Sequence, residues 1–108
     1  MTAPLTITTG RGQHRLSVGV AGELDHSTTA RLLDRVQADL LPTDTAVVID
    51  TAGLTFCDSA GLGTMVKIHH LLADRGGRLT LTGPTPAMRR LLEITALDTI
   101  FTLDPPTA

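Results

Sequence analysis

The chain has 108 residues, the size of one domain, and a net charge of −2 at pH 7. Hydrophobic residues make up 42% of it and charged residues 19%, a balance typical of a globular protein rather than a disordered one. Nucleic-acid binding is disfavoured, because the chain has no excess of cationic residues, no Trp or Tyr, and only two Phe for stacking bases.

The first part of the chain predicts a β-hairpin and then an amphipathic helix. Apolar and polar residues alternate through 5–21, with a glycine-containing turn at 10–13, which indicates two antiparallel strands. Ser27 is a typical N-cap residue, and leucine and valine recur behind it at helical spacing through 28–41. Pro42 ends this predicted helix.

The middle of the chain predicts a buried strand, a loop and a second helix. A continuous apolar run at 46–49 is typical of a strand covered on both faces, and we expect a strand over 46–50. A loop is then expected to cross 51–57. From 59 to 75 the apolar residues recur at helical spacing, and Gly76-Gly77 is a typical left-handed C-cap.

The remaining elements complete a ββαβαβαβ order. We expect a strand over 78–82, a third helix capped by Thr85 with Pro86 at its first position, and a short strand over 99–103. Helices that connect neighbouring parallel strands cross right-handedly and therefore lie on one face of the sheet. The expected fold class is α/β, with a small, mixed, mostly parallel sheet backed by helices in a single domain over 1–108.

The candidate functional site is the start of the second helix, where Asp58 and Ser59 are followed by two glycines. Asp58 is placed to cap this helix, and Ser59 falls in its first turn, where free N–H groups favour a phosphate. Gly61 and Gly63 keep the turn free of bulk, although each Gly inside a helix costs about 1 kcal/mol relative to Ala. Two such costs indicate either close packing against the sheet or the close approach of another molecule.

Three other kinds of site fit this sequence poorly. A serine hydrolase of the G-x-S-x-G type needs Gly at the position of Cys57 and a later histidine as base, but the last histidine is His70. A receiver domain phosphorylated at Asp50 needs an acidic pair near the first strand and a late lysine, and the last lysine here is Lys67. The phosphate-binding motif G-x-x-x-x-G-K-[ST] is absent.

Three segments carry a resemblance to a known family: AGELDHSTTARLLDRV, TAGLTFCDSAGLGTMVKIHH and GGRLTLTGPTPAMRRLLEITALDTIF. Together, in this order, they resemble the STAS domain of bacterial anti-sigma factor antagonists over nearly the whole chain. The most specific motif is D-S-x-G-L, here Asp58–Leu62, supported by G-E-L-D at Gly22–Asp25. The resemblance implies the STAS fold and a regulatory protein that is neither an enzyme nor dependent on a cofactor.

The resemblance also implies a phosphorylation switch at Ser59. In that family the unphosphorylated protein binds an anti-sigma factor and releases the sigma factor. The anti-sigma factor is also a serine kinase that uses ATP and Mg²⁺, and a serine phosphatase reverses the modification. Asp25 is implied to lie near Ser59, so that Asp25 and Asp58 orient the hydroxyl or contact the kinase. The sequence departs from the family pattern at two places. Ala60 stands where a second serine is common, which leaves Ser59 as the implied acceptor. Ala96-Leu97 stands in the connection before the last strand, where Gly is common.

A partner-binding surface is expected on the second helix. Ile68 and Leu71 fall off its predicted core stripe, beside Thr64 and Lys67. Exposed aliphatic side chains near a modification site are candidates for an interface, although single ones are common on any surface. We therefore expect these four residues to lie outside the core and to contact the partner.

The other reactive side chains are expected to be structural. Cys57 is the only cysteine, so no internal disulfide forms, and it is expected to behave as a small buried hydrophobe. His69 lies on the core stripe and is expected to be hydrogen-bonded there. His14, His26 and His70 share no metal-ligand spacing, so no metal site is expected.

An alternative function is that of a STAS module that binds a small molecule or a transport complex. The intact Asp58-Ser59 pair favours the antagonist. No segment reaches the ~18 apolar residues of a membrane span, and the first residues do not resemble a signal peptide. We therefore expect a cytoplasmic protein that contacts neither membrane nor nucleic acid directly.

Overall fold

The structure is a computed structural model that describes residues 5–104. Five strands are present in this range: β1 Thr6–Gly12, β2 Arg15–Leu24, β3 Ala46–Cys57, β4 Arg78–Thr82 and β5 Thr102–Asp104. The helices are α1 Thr29–Asp39, α2 Ser59–Ala73 and α3 Pro86–Ile94, with a short 3₁₀ turn at Leu97–Thr99. The predicted ββαβαβαβ order is confirmed.

The strands form one sheet whose spatial order follows the chain, β1-β2-β3-β4-β5. β1 is antiparallel to β2, and every later pair is parallel, which confirms the predicted mixed, mostly parallel sheet. Helices α1 and α2 pack against each other and against the central strands. The core therefore lies between the helices and one face of the sheet.

The opposite face of the sheet is the more open one. Along β3, Val47 and Ile49 are fully buried, whereas Val48 is half-buried and Asp50 is exposed. The prediction that this strand is covered on both faces is therefore wrong. Right-handed crossovers put the helices on one face, so alternate β3 residues point away from them.

Two of the predicted helix boundaries are confirmed by their local geometry. The Thr85 hydroxyl accepts a hydrogen bond from the Met88 backbone N–H at 3.2 Å, with Pro86 as the first residue of α3. Gly76 ends the second helical segment with φ +74°, a conformation that favours glycine. A side chain at Gly77 would clash, because its Cβ would lie 2.0 Å from the Thr45 carbonyl oxygen.

The end of the sheet differs from the prediction over 99–103. A 3₁₀ turn replaces the first part of that strand, and β5 pairs with β4 only from Thr102. Ala96 precedes the turn with φ +60°. A non-glycine residue in this left-handed region costs about 1–2 kcal/mol, so the local geometry here is strained by the absence of glycine.

A buried carboxylate fastens the end of the structure that lies opposite Ser59. The Asp44 side chain is fully buried, with Oδ1 2.5 Å from Arg11 Nη2 on β1. Its Oδ2 accepts the Leu41 N–H at 2.8 Å, and Arg75 Nη1 donates to the Asp44 carbonyl oxygen at 3.2 Å. Asp44 thus joins the hairpin, the loop before β3 and the end of α2.

We expect Asp44 to make the protein acid-labile. The hydrogen bond from Arg11 holds the pKa of Asp44 below its usual range, against the opposing effect of burial. A lowered folded-state pKa gives stability that is present above the unfolded pKa of about 3.9 and is lost as pH falls through the folded value. The urea concentration at the midpoint of unfolding should therefore decrease as the pH is lowered below about 4. Asp44→Asn should make this midpoint depend less on pH. The exposed control Asp34→Asn should keep the wild-type pH profile; an unaltered profile in Asp44→Asn would contradict the assignment.

Candidate functional site

Ser59 is the first residue of α2 and its side chain is exposed. Asp58 caps the helix as predicted, because its Oδ1 accepts the Gly61 N–H at 3.0 Å. Within residues 5–104 the Ser59 hydroxyl takes part in no hydrogen bond. An unengaged hydroxyl therefore stands at a helix N-terminus, where the backbone N–H groups favour negative charge.

The segment that leads to Ser59 is a strand, so the predicted loop over 51–57 is wrong. β3 pairs with β4 only as far as Asp50, but it continues beside β2 until Cys57 lies opposite Leu24. Two register irregularities accommodate this longer pairing, each with one more residue on β3 than on β2. The Asp58 N–H then donates to the Leu24 carbonyl oxygen at 3.2 Å, so the sheet itself fixes the position of Ser59.

Asp25 organises the turn between β2 and α1. Its Oδ1 accepts the Ser27 hydroxyl at 2.7 Å and the backbone N–H groups of Ser27 and Thr28 at 2.8 and 3.2 Å. These bonds, led by the Ser27 hydroxyl, lower the pKa of Asp25. The prediction that Ser27 caps α1 is wrong, because its hydroxyl donates to Asp25 and the helix starts after Thr28, without a side-chain cap.

The Asp25 turn and the start of α2 are joined through Asp58. The His26 backbone N–H donates to Asp58 Oδ2 at 3.2 Å, and His26 Nδ1 lies 3.9 Å from the same oxygen. The two predicted neighbours of Ser59, Asp25 and Asp58, thus belong to adjoining turns. Sequence reasoning missed His26, whose only signal was its position after the G-E-L-D motif.

The two glycines of the motif serve different purposes. A Cβ at Gly61 would lie 2.9 Å from Cys57 Sγ and 3.0 Å from the Leu24 carbonyl oxygen, so glycine allows α2 to sit close to the sheet. A Cβ at Gly63 would have no atom within 4 Å, and Gly63 is exposed. Packing therefore explains Gly61 and leaves Gly63 unexplained.

Two of the four predicted partner-binding residues are buried. Ile68 has no exposed surface, and Thr64 is 4% exposed with its hydroxyl bonded to that of Thr29 on α1. The prediction that they lie outside the core is wrong, because α2 packs against α1 as well as the sheet and so buries a wider arc than one stripe. Lys67 is exposed and Leu71 is half-buried.

Lys67 and Leu71 lie on a shallow groove between the two helices. The groove has a volume of about 310 Å³, and its lining includes Leu33 and Gln37 of α1 as well as His70. Leu33 is half-buried, so part of its side chain is accessible in this groove. The groove is the part of the predicted partner surface that remains accessible.

The remaining sequence-predicted residues take structural positions. Burial, aided by the nearby Asp58 charge, raises the pKa of Cys57 to about 11, so the thiol stays protonated at neutral pH. His69 packs edge-on against Phe101, with ring centroids 6.1 Å apart. Its Nδ1 is buried without a hydrogen-bond partner within residues 5–104, so the expectation of a hydrogen-bonded core histidine is wrong for this nitrogen.

None of the helices in the described part of the chain has the length and apolar character needed to cross a membrane.

Comparisons with known proteins agree with the fold and the motif. Residues 7–103 match the family model described as "Mlab, STAS domain". An anti-sigma F factor antagonist from Lysinibacillus sphaericus is 31% identical over 77 residues, which cover 70% of this chain and 66% of the relative. An anti-sigma-B factor antagonist from Listeria monocytogenes is 30% identical over 91 residues, which cover 84% of this chain and 80% of the relative.

Solved structures show the same architecture. An anti-sigma factor antagonist from Mycobacterium paratuberculosis has a TM-score of 0.81 at 28% identity, covering 95% of this chain and 89% of its own. The phosphorylated form of the Bacillus cell fate determinant SpoIIAA has a TM-score of 0.73 at 21% identity, and the match covers 91% of this chain and 90% of that one. This second match shows a similar fold. The chain therefore belongs to the STAS domain family, among its anti-sigma factor antagonists.

Proposed function

We propose that the unphosphorylated protein binds an anti-sigma factor and so frees a sigma factor, and that phosphorylation of Ser59 switches this binding off. The observation that carries the proposal is the exposed, unengaged Ser59 hydroxyl at the start of α2, fixed there by Asp58 and the end of β3. The names of the curated relatives support the anti-sigma factor as the partner.

The partner is proposed to be a serine kinase as well. The γ-phosphoryl group of ATP passes to Ser59 Oγ: the new O–P bond forms, the bond to ADP breaks, and the hydroxyl proton leaves to a base of the kinase. The two oxygens of Asp58 accept the N–H groups of Gly61 and His26, which hold this carboxylate beside the acceptor. This chain supplies the acceptor, the kinase supplies Mg²⁺ and ATP, and a serine phosphatase restores the hydroxyl.

Other hydroxyl groups near the site are less available than that of Ser59. The Ser27 hydroxyl donates to Asp25, and the Thr55 hydroxyl donates to the Gly22 carbonyl oxygen at 3.1 Å. Thr64 is buried. Ser59 therefore combines exposure with a hydroxyl that no neighbour holds.

Ser59→Ala should abolish phosphate incorporation and leave both the fold and anti-sigma binding intact. Only the exposed hydroxyl is removed, and Ala is well tolerated in a helix. The measurement is incubation with the candidate kinase and ATP–Mg²⁺, followed by mass-spectrometric mapping of the modified residue.

Ser27→Ala is the matched control and should be labelled like the wild type. Undiminished labelling of Ser59→Ala would move the acceptor to another hydroxyl. A wild-type protein that neither binds the anti-sigma factor nor accepts phosphate would favour the alternative, a module for a small molecule or a transport complex.

A further inference from the structure

The outer edge of β1 faces no other strand in the described part of the chain. β1 is the first strand of the sheet and pairs with β2 alone, in an unbroken antiparallel register from Thr6↔Ala21 to Gly12↔Arg15. In an antiparallel pair, alternate residues direct their N–H and C=O groups away from the partner strand. β1 therefore presents a regular row of backbone donors and acceptors that can pair with a further strand.

β1 lacks the features that usually protect such an edge from pairing with another chain. Its segment Thr6–Gly10 contains no charged residue and no proline, and no bulge interrupts its pairing with β2. The opposite edge of the sheet is better protected, because β5 has only three residues and ends in the carboxylate of Asp104. Pairing with another chain is therefore favoured at β1 over β5.

The charges beside β1 indicate which chain would pair there. A shallow groove of about 390 Å³ separates β1 from α1 and is lined by Ile7, Arg31, Asp34, Arg35 and Ala38. Arg35 bonds to Asp39 and to Thr9, whereas Arg31 and Asp34 are exposed and take part in no ion pair within residues 5–104. A row with one unpaired cation and one unpaired anion is complementary to a second copy of itself in the reversed direction.

We propose that β1 is the interface of a homodimer, in which two copies pair their β1 strands antiparallel about a two-fold axis perpendicular to the sheet. This axis keeps the helices of both copies on the same face, so the two α1 helices lie antiparallel beside the shared strands. Asp34 of each copy then lies against Arg31 of the other, and the half-buried Ile7 is covered. A partner of a single charge sign would match only part of this row.

The dimer leaves the candidate acceptor accessible. Ser59 follows β3, which is two strands away from β1 in the sheet, so each dimer presents two Ser59 hydroxyls. The inference goes beyond the proposed function and does not depend on it, because self-association is measured on the protein alone.

Sedimentation equilibrium of the purified protein measures the self-association. The interface is small and mostly polar, so we expect a dissociation constant on the order of 100 μM. The weight-average mass should rise from near 11.4 kDa at about 10 μM toward twice that value at about 1 mM. Thr8→Lys should weaken association at least about tenfold, because the two introduced cations would lie on adjoining strands. Arg31→Glu should weaken it at least about threefold, because carboxylates of the two copies would then face each other.

Thr80→Lys is the matched control, because it makes the same change on the same open face of the sheet, but on β4. It should associate like the wild type. Hydrogen exchange locates the interface: amides of β1 should exchange more slowly at high than at low protein concentration, whereas those of β5 should exchange at the same rate.

A protein that stays monomeric at about 1 mM would overturn the inference, and so would a dimer that Thr8→Lys does not weaken. Slower exchange at β5 instead of β1 would also overturn it, because the copies would then pair at the other edge. None of these results affects the proposed function. Conversely, a protein that dimerises through β1 but is not phosphorylated at Ser59 would contradict the proposed function alone.

Discussion

Ile68→Asp should unfold most of the protein at room temperature, whereas Leu71→Asp, three residues later on the same helix, should leave it folded. Ile68 has no exposed surface, so the substitution removes a large buried side chain, which typically costs 2–5 kcal/mol. It also buries a carboxylate without a partner, which adds to that cost. The sum is comparable to the whole stability of a domain, about 5–15 kcal/mol. Thermal melts followed by circular dichroism measure the difference.

The conservative Ile68→Val sets the scale for this comparison. It keeps the site apolar and should cost only about 0.5–1.5 kcal/mol. Leu71→Asp should instead weaken binding to the anti-sigma factor, because Leu71 lines the groove between α1 and α2. A normal melt for Ile68→Asp would show that α2 is rotated relative to the arrangement described above.

Phosphorylation of Ser59 should lower the affinity for the anti-sigma factor at least about tenfold without refolding the protein. The phosphate adds about −1.5 to −2 charge. Within the chain the N-terminus of α2 stabilises an exposed anion by about 0.3–1 kcal/mol, which partly offsets repulsion from Asp58. In the complex the phosphate must lose its water at a surface that fitted a hydroxyl, and each 1.4 kcal/mol of that cost is tenfold in affinity.

Amide spectra of the two forms distinguish this local mechanism from a conformational switch. Shifts should be confined to 56–65 and to the adjoining turn at His26, which bonds to Asp58. Ser59→Ala treated with the same kinase is the control and should show no shifts. Changes spread over α1 and β4 would indicate a conformational switch, and equal affinity of the two forms would remove the switch altogether.

Sequence reasoning predicted the elements because their signals are local. Alternation through 5–21, the Thr85 cap and the left-handed Gly76 depend on residues a few positions apart, and each is confirmed by the structure. The phase of α2 was predicted less well. A helical wheel identifies the most apolar stripe of α2. Ile68 and Thr64 lie outside that stripe and are buried because α1 packs beside it. No local sequence pattern gives the position of α1.

The surroundings of Ser59 depended on contacts between distant parts of the chain. The extension of β3 to Cys57 is a strand because β2 continues beside it, although 51–57 contains the turn-favouring Gly53. Ser27 was expected to accept the free backbone N–H groups before α1, but Asp25 accepts hydrogen bonds there instead. Asp and Ser side chains both form such local bonds to the backbone, so the sequence does not distinguish them. The motif therefore identified the candidate acceptor. The residues that hold it in place could be identified only from the folded structure.

The coincidence of strand order with chain order lets the sheet be assembled vectorially. Each parallel strand pairs with the strand that emerged from the ribosome just before it. No strand therefore has to wait for a partner that is translated later. The hairpin of β1 and β2 provides the template, and β3 completes the platform under Ser59 before α3 and β5 are translated. A nascent chain released just after β4 should thus already protect the β2 and β3 amides from hydrogen exchange.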